Sequence, residues 1–519
     1  MADASVQRAY RAACPGCGAA VEFRSLASTH AVCGYCQSTI VRDGEALSRI
    51  GKMSEVFDDY SPLQLFSQGK FNSVGFTVVG RLQYKTRDGS WSEWLCALDD
   101  GSTASLSEDN GSFVWSTAAK TQRVLPKPEQ WVLGNTTAIN GRAYSVASIQ
   151  EVALMSAQGE LPKLPPLGTS FCVVELRSPQ GEVISMDYAA EPPALSSGVA
   201  VSLEALQLTG LRDLANATGQ GGKEVQGRHF NCPNCGSAVS CKLETSKSIT
   251  CGSCNSLIDV SQGIGGELSH AIQDEPVRPL IPIGTIGTLQ GKSWQIVGFQ
   301  HRMGQEVGDD SDDDGYDESF GWDEYLLYNS KAGFQFLVDA SDGWSLVKPT
   351  TGAPEAQTSR QVKYQGNTFT QQYAYKAETN YVAGEFYWRV ERGQKTYNED
   401  YANGALLLSR EQSAGKGSGG SGQEVTWSIG SKLAASTVVS AFKLKGQEAK
   451  FERDDVKPLS SGDGWNLMGF VVMMLIIVIV FSMMTRCSRD CDPQRENCSS
   501  SARSSGGSYG GYSSGGGHK

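Results

Sequence analysis

This chain is poor in histidine. Only His30, His229, His270, His301 and His518 occur in 519 residues, and none stands at triad or metal-pair spacing from its neighbours. No phosphate-binding glycine loop, dinucleotide fingerprint or nucleophile elbow is present. With no positive sign of catalysis, a non-enzymatic protein is expected. Excess positive charge is missing too: 45 Lys and Arg face 56 Asp and Glu, a formal net charge of −11. Binding a phosphate backbone needs clustered cations, so nucleic acid is not expected as the main partner. The opening MADASVQRAYRAAC lacks the apolar core of a secretory signal. Helical periodicity is absent from most of the chain.

Cysteine, by contrast, is patterned. Of fourteen, eight stand at matching positions in two stretches, CPGCGAAVEFRSLASTHAVCGYC from Cys14 and CPNCGSAVSCKLETSKSITCGSC from Cys232, an offset of 218. Each reads C-x2-C-x15-C-x2-C, through Cys14, Cys17, Cys33 and Cys36, then Cys232, Cys235, Cys251 and Cys254. A C-x2-C turn sets two sulfurs on one side of a tight loop, and two facing knuckles make a tetrahedral thiolate site. The interval between knuckles suits a β-hairpin, so each stretch reads as a zinc ribbon. Four protein sulfurs close the coordination sphere, which makes both zinc ions structural. A module this small draws much of its stability from the metal. Cys96, Cys172 and Cys241 have no counterpart in the other copy and read as incidental residues.

The repeat continues beyond the cysteines. At the same offset GFTVVGRLQY falls on SWQIVGFQHR, pairing Phe76 with Trp294 and Gly80 with Gly298. The offset then becomes 231, where WSEWL (91–95) meets WDEYL (322–326). Gly159-Glu160 recurs as Gly384-Glu385, and Asp187-Tyr188 is paired with Asp400-Tyr401. ALSSGVAVSLEALQL resembles WSIGSKLAASTVVSAFKL near each copy's end. Drifting offsets with preserved motifs are the mark of a duplicated unit carrying loop insertions. Short runs rich in β-branched and aromatic residues, punctuated by Gly, Asn and Asp, predict antiparallel sheets closed into barrels or sandwiches. The expected order is zinc ribbon 1–52, β domain 54–213, linker 214–227, zinc ribbon 228–262, β domain 277–445, juxtamembrane segment 446–464, transmembrane helix 465–484 and a Gly/Ser-rich tail 485–519. Short helices are expected at the end of each β domain.

The strand with WQIVG, then WDEYLLYN, GFQFLVDASDGWSLVKP, GEFYWRV and EDY, resembles a bacterial domain-of-unknown-function family, number 4178, found as tandem copies beside zinc ribbons. The likeness spans roughly 280–445 well and 60–210 more loosely. In the first copy GSFVW (111–115) stands where DGWSL would be. The resemblance implies a fold and no activity.

Two further features are candidates for chemistry. Asp310, Asp312, Asp314 and Gly315 reproduce the opening of a calcium loop, but Gly321 holds the twelfth place, where a bidentate Glu is needed. A solvated hairpin loop is the plainer reading, with weak cation binding as the alternative. The W-x-E-[WY]-L pair offers Glu93 and Glu324. We place the aromatics on one strand face and the carboxylate on the other, as a structural residue. The competing reading is a ligand or enzyme site in the second β domain built from Trp322, Glu324, Tyr325, Asp342 and Trp344, with Glu93 as the first-copy counterpart.

The run Leu467–Met484 has no charge over 18 residues, with Trp465 just before it, and is long enough to span a bilayer. Lys450, Arg453 and Lys457 precede it and Arg486, Arg489, Arg495 and Arg503 follow, so charge does not fix its orientation. Moving the thiol-rich domains across a membrane without a signal is unfavourable. We therefore expect a bacterial inner-membrane protein with cytoplasmic domains and an exported tail carrying Cys487, Cys491 and Cys498. A protein partner, reached through a binding or scaffold role in the envelope, is expected. Nucleic-acid binding through the ribbons is the third reading.

Overall fold

Each half of the chain is built on two four-stranded meanders, and each meander opens with the same tight hairpin. Phe71-Asn72-Ser73-Val74, Ile139-Asn140-Gly141-Arg142, Leu289-Gln290-Gly291-Lys292 and Tyr364-Gln365-Gly366-Asn367 all turn with both central residues at positive φ. That is the two-residue turn whose twist matches antiparallel strands. The computed structural model describes residues 10–453, apart from 26–27, 44–45, 54–60, 87–88, 110, 163, 166–168, 213–227, 244–245, 262–267, 274–275, 307–318, 330–331 and 414–422.

In the first half the strands are β1 (Val74–Lys85), β2 (Ser90–Leu98), β3 (Thr103–Asp109), β4 (Ser112–Ala119), β5 (Arg142–Leu161), β6 (Ser170–Arg177), β7 (Glu182–Asp187) and β8 (Ala194–Val201). They pair antiparallel in the order β1-β2-β3-β4-β8-β7-β6-β5, and β5 returns to β1. The sheet closes as an eight-stranded barrel. The second half repeats it with β9 (Lys292–Glu306), β10 (Ser319–Asn329), β11 (Gly333–Ala340), β12 (Gly343–Thr350), β13 (Asn367–Phe386), β14 (Lys395–Asn403), β15 (Leu406–Ser413) and β16 (Gln423–Leu433). Their order is β9-β10-β11-β12-β16-β15-β14-β13, closed by β13 on β9. Closure removes the free strand edges that an open sheet of this kind would expose.

Registers confirm the duplication strand by strand. Gly80 lies opposite Leu95 with a bulge just before it, and Gly298 lies opposite Leu326 with the same bulge. At the closing seam Gly80 faces Gly159 and Gly298 faces Gly384. These glycines are required by close approach. A methyl on Gly80 would sit 1.9 Å from the Glu160 carbonyl oxygen, and one on Gly384 would sit 2.3 Å from that of Val297. One matched pair fails: Asp187 lies on β7, whereas Asp400 lies on β14, the counterpart of β6. The dipeptide Asp-Tyr is too short to hold register where loop lengths differ.

The apolar cores lie largely outside the barrels, under covering segments. Leu63, Leu203 and Leu206 pack with Trp94, Phe113 and Trp115 on the first barrel, while Trp131 covers a second cluster around Val174 and Met186. On the second barrel Ile281, Phe299, Tyr325 and Trp344 pack beneath a helix, α1 (Ala435–Ala441), and Phe451. Among the described residues the second copy ends in an α-helix, whereas the first forms a 3-10 turn at Glu204–Leu206. Arg453 clamps Asp339 through Nε at 2.7 Å, and burial lifts that carboxyl to about 6 against the pull of the guanidinium. The barrels join where β5 pairs β16 (Ser148 opposite Glu424), and the Ala353 N–H donates to the Ser178 carbonyl at 3.1 Å.

Among the described residues no helix is long and apolar enough to cross a membrane. The run 465–484, the linker 214–227, the tail 485–519 and the acidic loop with Asp310, Asp312 and Asp314 lie outside the described residues.

Candidate metal centres and barrel interior

Both four-cysteine stretches fold as pairs of knuckles. After Cys14 the Gly18 N–H returns to the Cys14 carbonyl at 2.8 Å, and after Cys33 the Gln37 N–H returns to the Cys33 carbonyl at 2.9 Å. Gly236 and Asn255 do the same behind Cys232 and Cys251. Gly18, Gln37, Gly236 and Asn255 all have positive φ, which brings the chain round sharply enough for each pair of sulfurs to converge. Sγ–Sγ separations are 3.7 Å for Cys14–Cys36 and Cys17–Cys33, 3.6 Å for Cys232–Cys254 and 3.7 Å for Cys235–Cys251. A tetrahedral ion with metal–sulfur bonds near 2.3 Å would space its sulfurs about 3.8 Å apart, whereas a disulfide needs about 2.05 Å. The spacing fits a metal and excludes bonded pairs. Within the quartets the thiols diverge: Ser38 and Ser256 hydrogen bonds draw Cys36 and Cys254 down to about 6, whereas burial pushes Cys232 up to about 11. Each set of four can hold a metal ion.

The recurring Gly-Glu pairs acquire a role only here. The Glu160 carboxylate accepts the N–H groups of Arg24 and Ser25, at 2.7 and 2.9 Å, at the tip of the first ribbon's hairpin. Glu385 accepts those of Lys242 and Leu243, both at 2.9 Å, together with the Ser246 hydroxyl at 2.8 Å. Burial holds the Glu160 carboxyl above its ordinary value, opposed by those donors. Beside each latch a ribbon strand pairs with the barrel: His30–Val32 on β5, and Ser248–Thr250 on β13. Gln273 adds a third tie, bonding both backbone groups of Val382 at 2.8 Å and the knuckle carbonyl of Asn255 at 2.7 Å. Glu385→Ala would leave three donors without their acceptor, and a loss of about 3 kcal/mol is expected. Hydrogen exchange should then quicken at Lys242 and Leu243 while the β9–β12 amides keep their protection.

The second-copy candidates divide between two faces. Trp322 and Glu324, two residues apart, share the inner face of β10, and the Trp322 indole N–H donates to the carboxylate at 2.6 Å. The placement of the Glu opposite the aromatics is therefore corrected for Trp322, since strand side chains repeat every second residue. Tyr325 points outward, its hydroxyl accepting the Leu280 N–H at 3.0 Å. Trp344 is also in the outer core and donates to the Phe451 carbonyl at 2.9 Å. Asp342 sits at the β11–β12 turn, paired with Lys432 at 3.0 Å. The WDEYL and SDGW segments thus meet in the outer core, where Tyr325 and Trp344 stack at 6.1 Å, and Glu324 alone of them lines the interior cavity. The structure adds a neighbour that spacing did not reveal: Arg302, its guanidinium 3.6 Å from Glu324, 2.9 Å from Glu411 and 2.6 Å from the Thr396 hydroxyl. Gln300 completes the Glu324 shell at 2.6 Å. On the outer face His301 meets Asp323 at 2.7 Å.

A cavity of about 740 Å³ is lined from both barrels, by Glu93, Ser105 and Asp187 of the first and Gln300, Arg302 and Glu324 of the second. Glu93 is partly exposed, but to this cavity, and burial raises its carboxyl above the ordinary range while Ser105 counters.

The arrangement defines a class: tandem eight-stranded antiparallel barrels, each latched to a four-cysteine ribbon at its glycine seam. The chain belongs to the family described as domain of unknown function DUF4178, which matches residues 67–203 and 282–435, one barrel each and more than half of the chain together. No curated protein and no solved structure matches it.

Proposed function

We propose that this is a non-enzymatic binding protein whose ligand enters the cavity shared by the two barrels, with two structural zinc ions in the ribbons. The observation that carries the reading is that cavity, about 740 Å³ and walled by polar side chains of both copies; pockets for small molecules have this size and are built at such junctions. Zinc suits four thiolates at these separations and a closed shell. Eight unbonded thiols in metal geometry favour a reducing compartment. We place the barrels on the cytoplasmic side of a bacterial inner membrane, anchored by the apolar run 465–484, where a protein partner would read the liganded state.

Native mass spectrometry of the full chain, extracted in detergent from the membrane fraction, tests this. Two zinc ions per chain and saturable added mass from a pooled small-molecule library are expected. Far fewer than two metals would overturn the ribbon assignment, and no added mass from any class would overturn the binding reading.

A further inference from the structure

The two barrels differ at two interior positions beside a shared glutamate. In the second barrel Arg302 lies across from Trp322, and its guanidinium stands 3.6 Å from Glu324, so the buried carboxylate has its counter-charge built in. In the first barrel the register is the same, with Tyr84 across from Trp91 and Leu82 across from Glu93. The guanidinium is thus replaced by a phenol, and the Gln300 amide by an aliphatic chain. Glu93 keeps its carboxylate, and Asp187 stands within electrostatic reach of both it and Tyr84. Two acids therefore share this part of the wall, where the sister barrel has an arginine.

What surrounds them is aromatic. The Tyr84 ring stacks on Trp91 at 5.2 Å and meets Phe171 edge-on at 6.2 Å, and all three rings line the cavity. Carboxylates backed by ring faces attract an organic cation twice over, by charge and by the ring quadrupoles. Among the described residues lining the cavity there is no Lys or His. Its guanidiniums other than that of Arg302 are already paired, Arg177 with Glu175 at 2.9 Å and Arg389 with Asp259 at 2.8 Å. A second, independent sign lies across the cavity. Arg302, with a side chain 4% exposed, has no hydrogen-bond partner for its Nε, and the same is true of Arg177 and Arg389 on the cavity wall. A buried donor left so is unusual without something to accept it.

Resting on the binding reading above, we propose that the first barrel's interior takes a small organic cation, an ammonium, amidinium or quaternary amine. Its positive group occupies the place that Arg302 fills in the sister barrel, between Glu93, Asp187 and the Tyr84–Trp91 wall. An oxygen on the same molecule would accept from Arg302.

Calorimetry on the full chain tests this with butylammonium, butylguanidinium and choline, and with 3,3-dimethyl-1-butanol as the uncharged isostere of choline. At least one cation should bind saturably and the isostere should not. Glu93→Gln should weaken binding at least about tenfold, as expected for losing the charged partner in a buried site. Tyr84→Arg should abolish it by supplying the cation internally, and Trp91→Leu should weaken it if Tyr84→Arg fails to fold. Equal binding of the isostere, or cation binding untouched by Glu93→Gln, overturns the proposal. If none of the three cations binds while the pooled library still adds a neutral or anionic mass, the cation assignment fails alone. If the library adds none, the binding reading fails with it.

Discussion

Replacing Cys232 and Cys235 by serine should remove one of the two proposed metal ions and unfold the second ribbon while leaving both barrels intact. The free energy at stake is large: structural zinc in modules of this size contributes about 10–16 kcal/mol near neutral pH. Besides the ion, the second ribbon is held by the Glu385 latch, the pairing of Ser248–Thr250 with β13, and Gln273. Its core is Val239, Cys241, Ile249, Ile258 and Val260 around three of the four ligands, a cluster separate from those of the barrel. Without the ion, four thiols remain within 4.8 Å of one another with no metal–sulfur bonds joining the two knuckles. Limited proteolysis read by mass spectrometry, with elemental analysis, checks the outcome. New cleavage should concentrate between Arg228 and Ser261, with about one metal retained. An unchanged cleavage pattern, or two metals still bound, would contradict a structural ion. The same exchange at Cys14 and Cys17 should open the first ribbon alone, because each ribbon is latched to its own barrel through its own glutamate.

Gly80→Ala should be the most damaging single methyl in the first barrel. Its Cβ would lie 1.9 Å from the Glu160 carbonyl oxygen and 3.0 Å from the carbonyl carbon. Those are backbone atoms of a paired strand, so no rotamer can yield, and the seam must spread. Spreading would break the β1–β5 ladder and shift Glu160, which holds the first ribbon. Overpacking of this kind costs about 1–3 kcal/mol even where side chains can move, and about 4 kcal/mol is expected here. Gly141→Ala is the control, since its φ is +80° but nothing lies within 4 Å of the added methyl. That change should cost about 1 kcal/mol, the ordinary penalty for a side chain in the left-handed region. Chemical denaturation of both variants decides: similar midpoints would mean that the seam tolerates a side chain.

Much of the candidate chemistry could be read before folding because it is local. A C-x2-C knuckle closes within five residues, and two copies at identical spacing leave little room for coincidence. The sequence reading puts Trp322 and Glu324 on opposite faces, although they stand two residues apart on one strand and strand alternation puts them on the same face. The glutamate latch was half legible. Recurrence of Gly159-Glu160 and Gly384-Glu385 was visible, but their acceptor role joins residues more than 130 positions apart. Arg302 gave no signal, because its partners Glu411 and Thr396 reach it only when the barrel closes.

The sequence by itself determined the thiolate sets, the duplication and the β character of each copy, because spacing and alternation act over a few residues and survive any packing. Whether the sheets close, which face of β10 looks inward, and that both barrels line one cavity were decided by tertiary structure. Closure depends on seam contacts such as Gly80 with Gly159, a distance set by the whole circumference of eight strands rather than by any one of them.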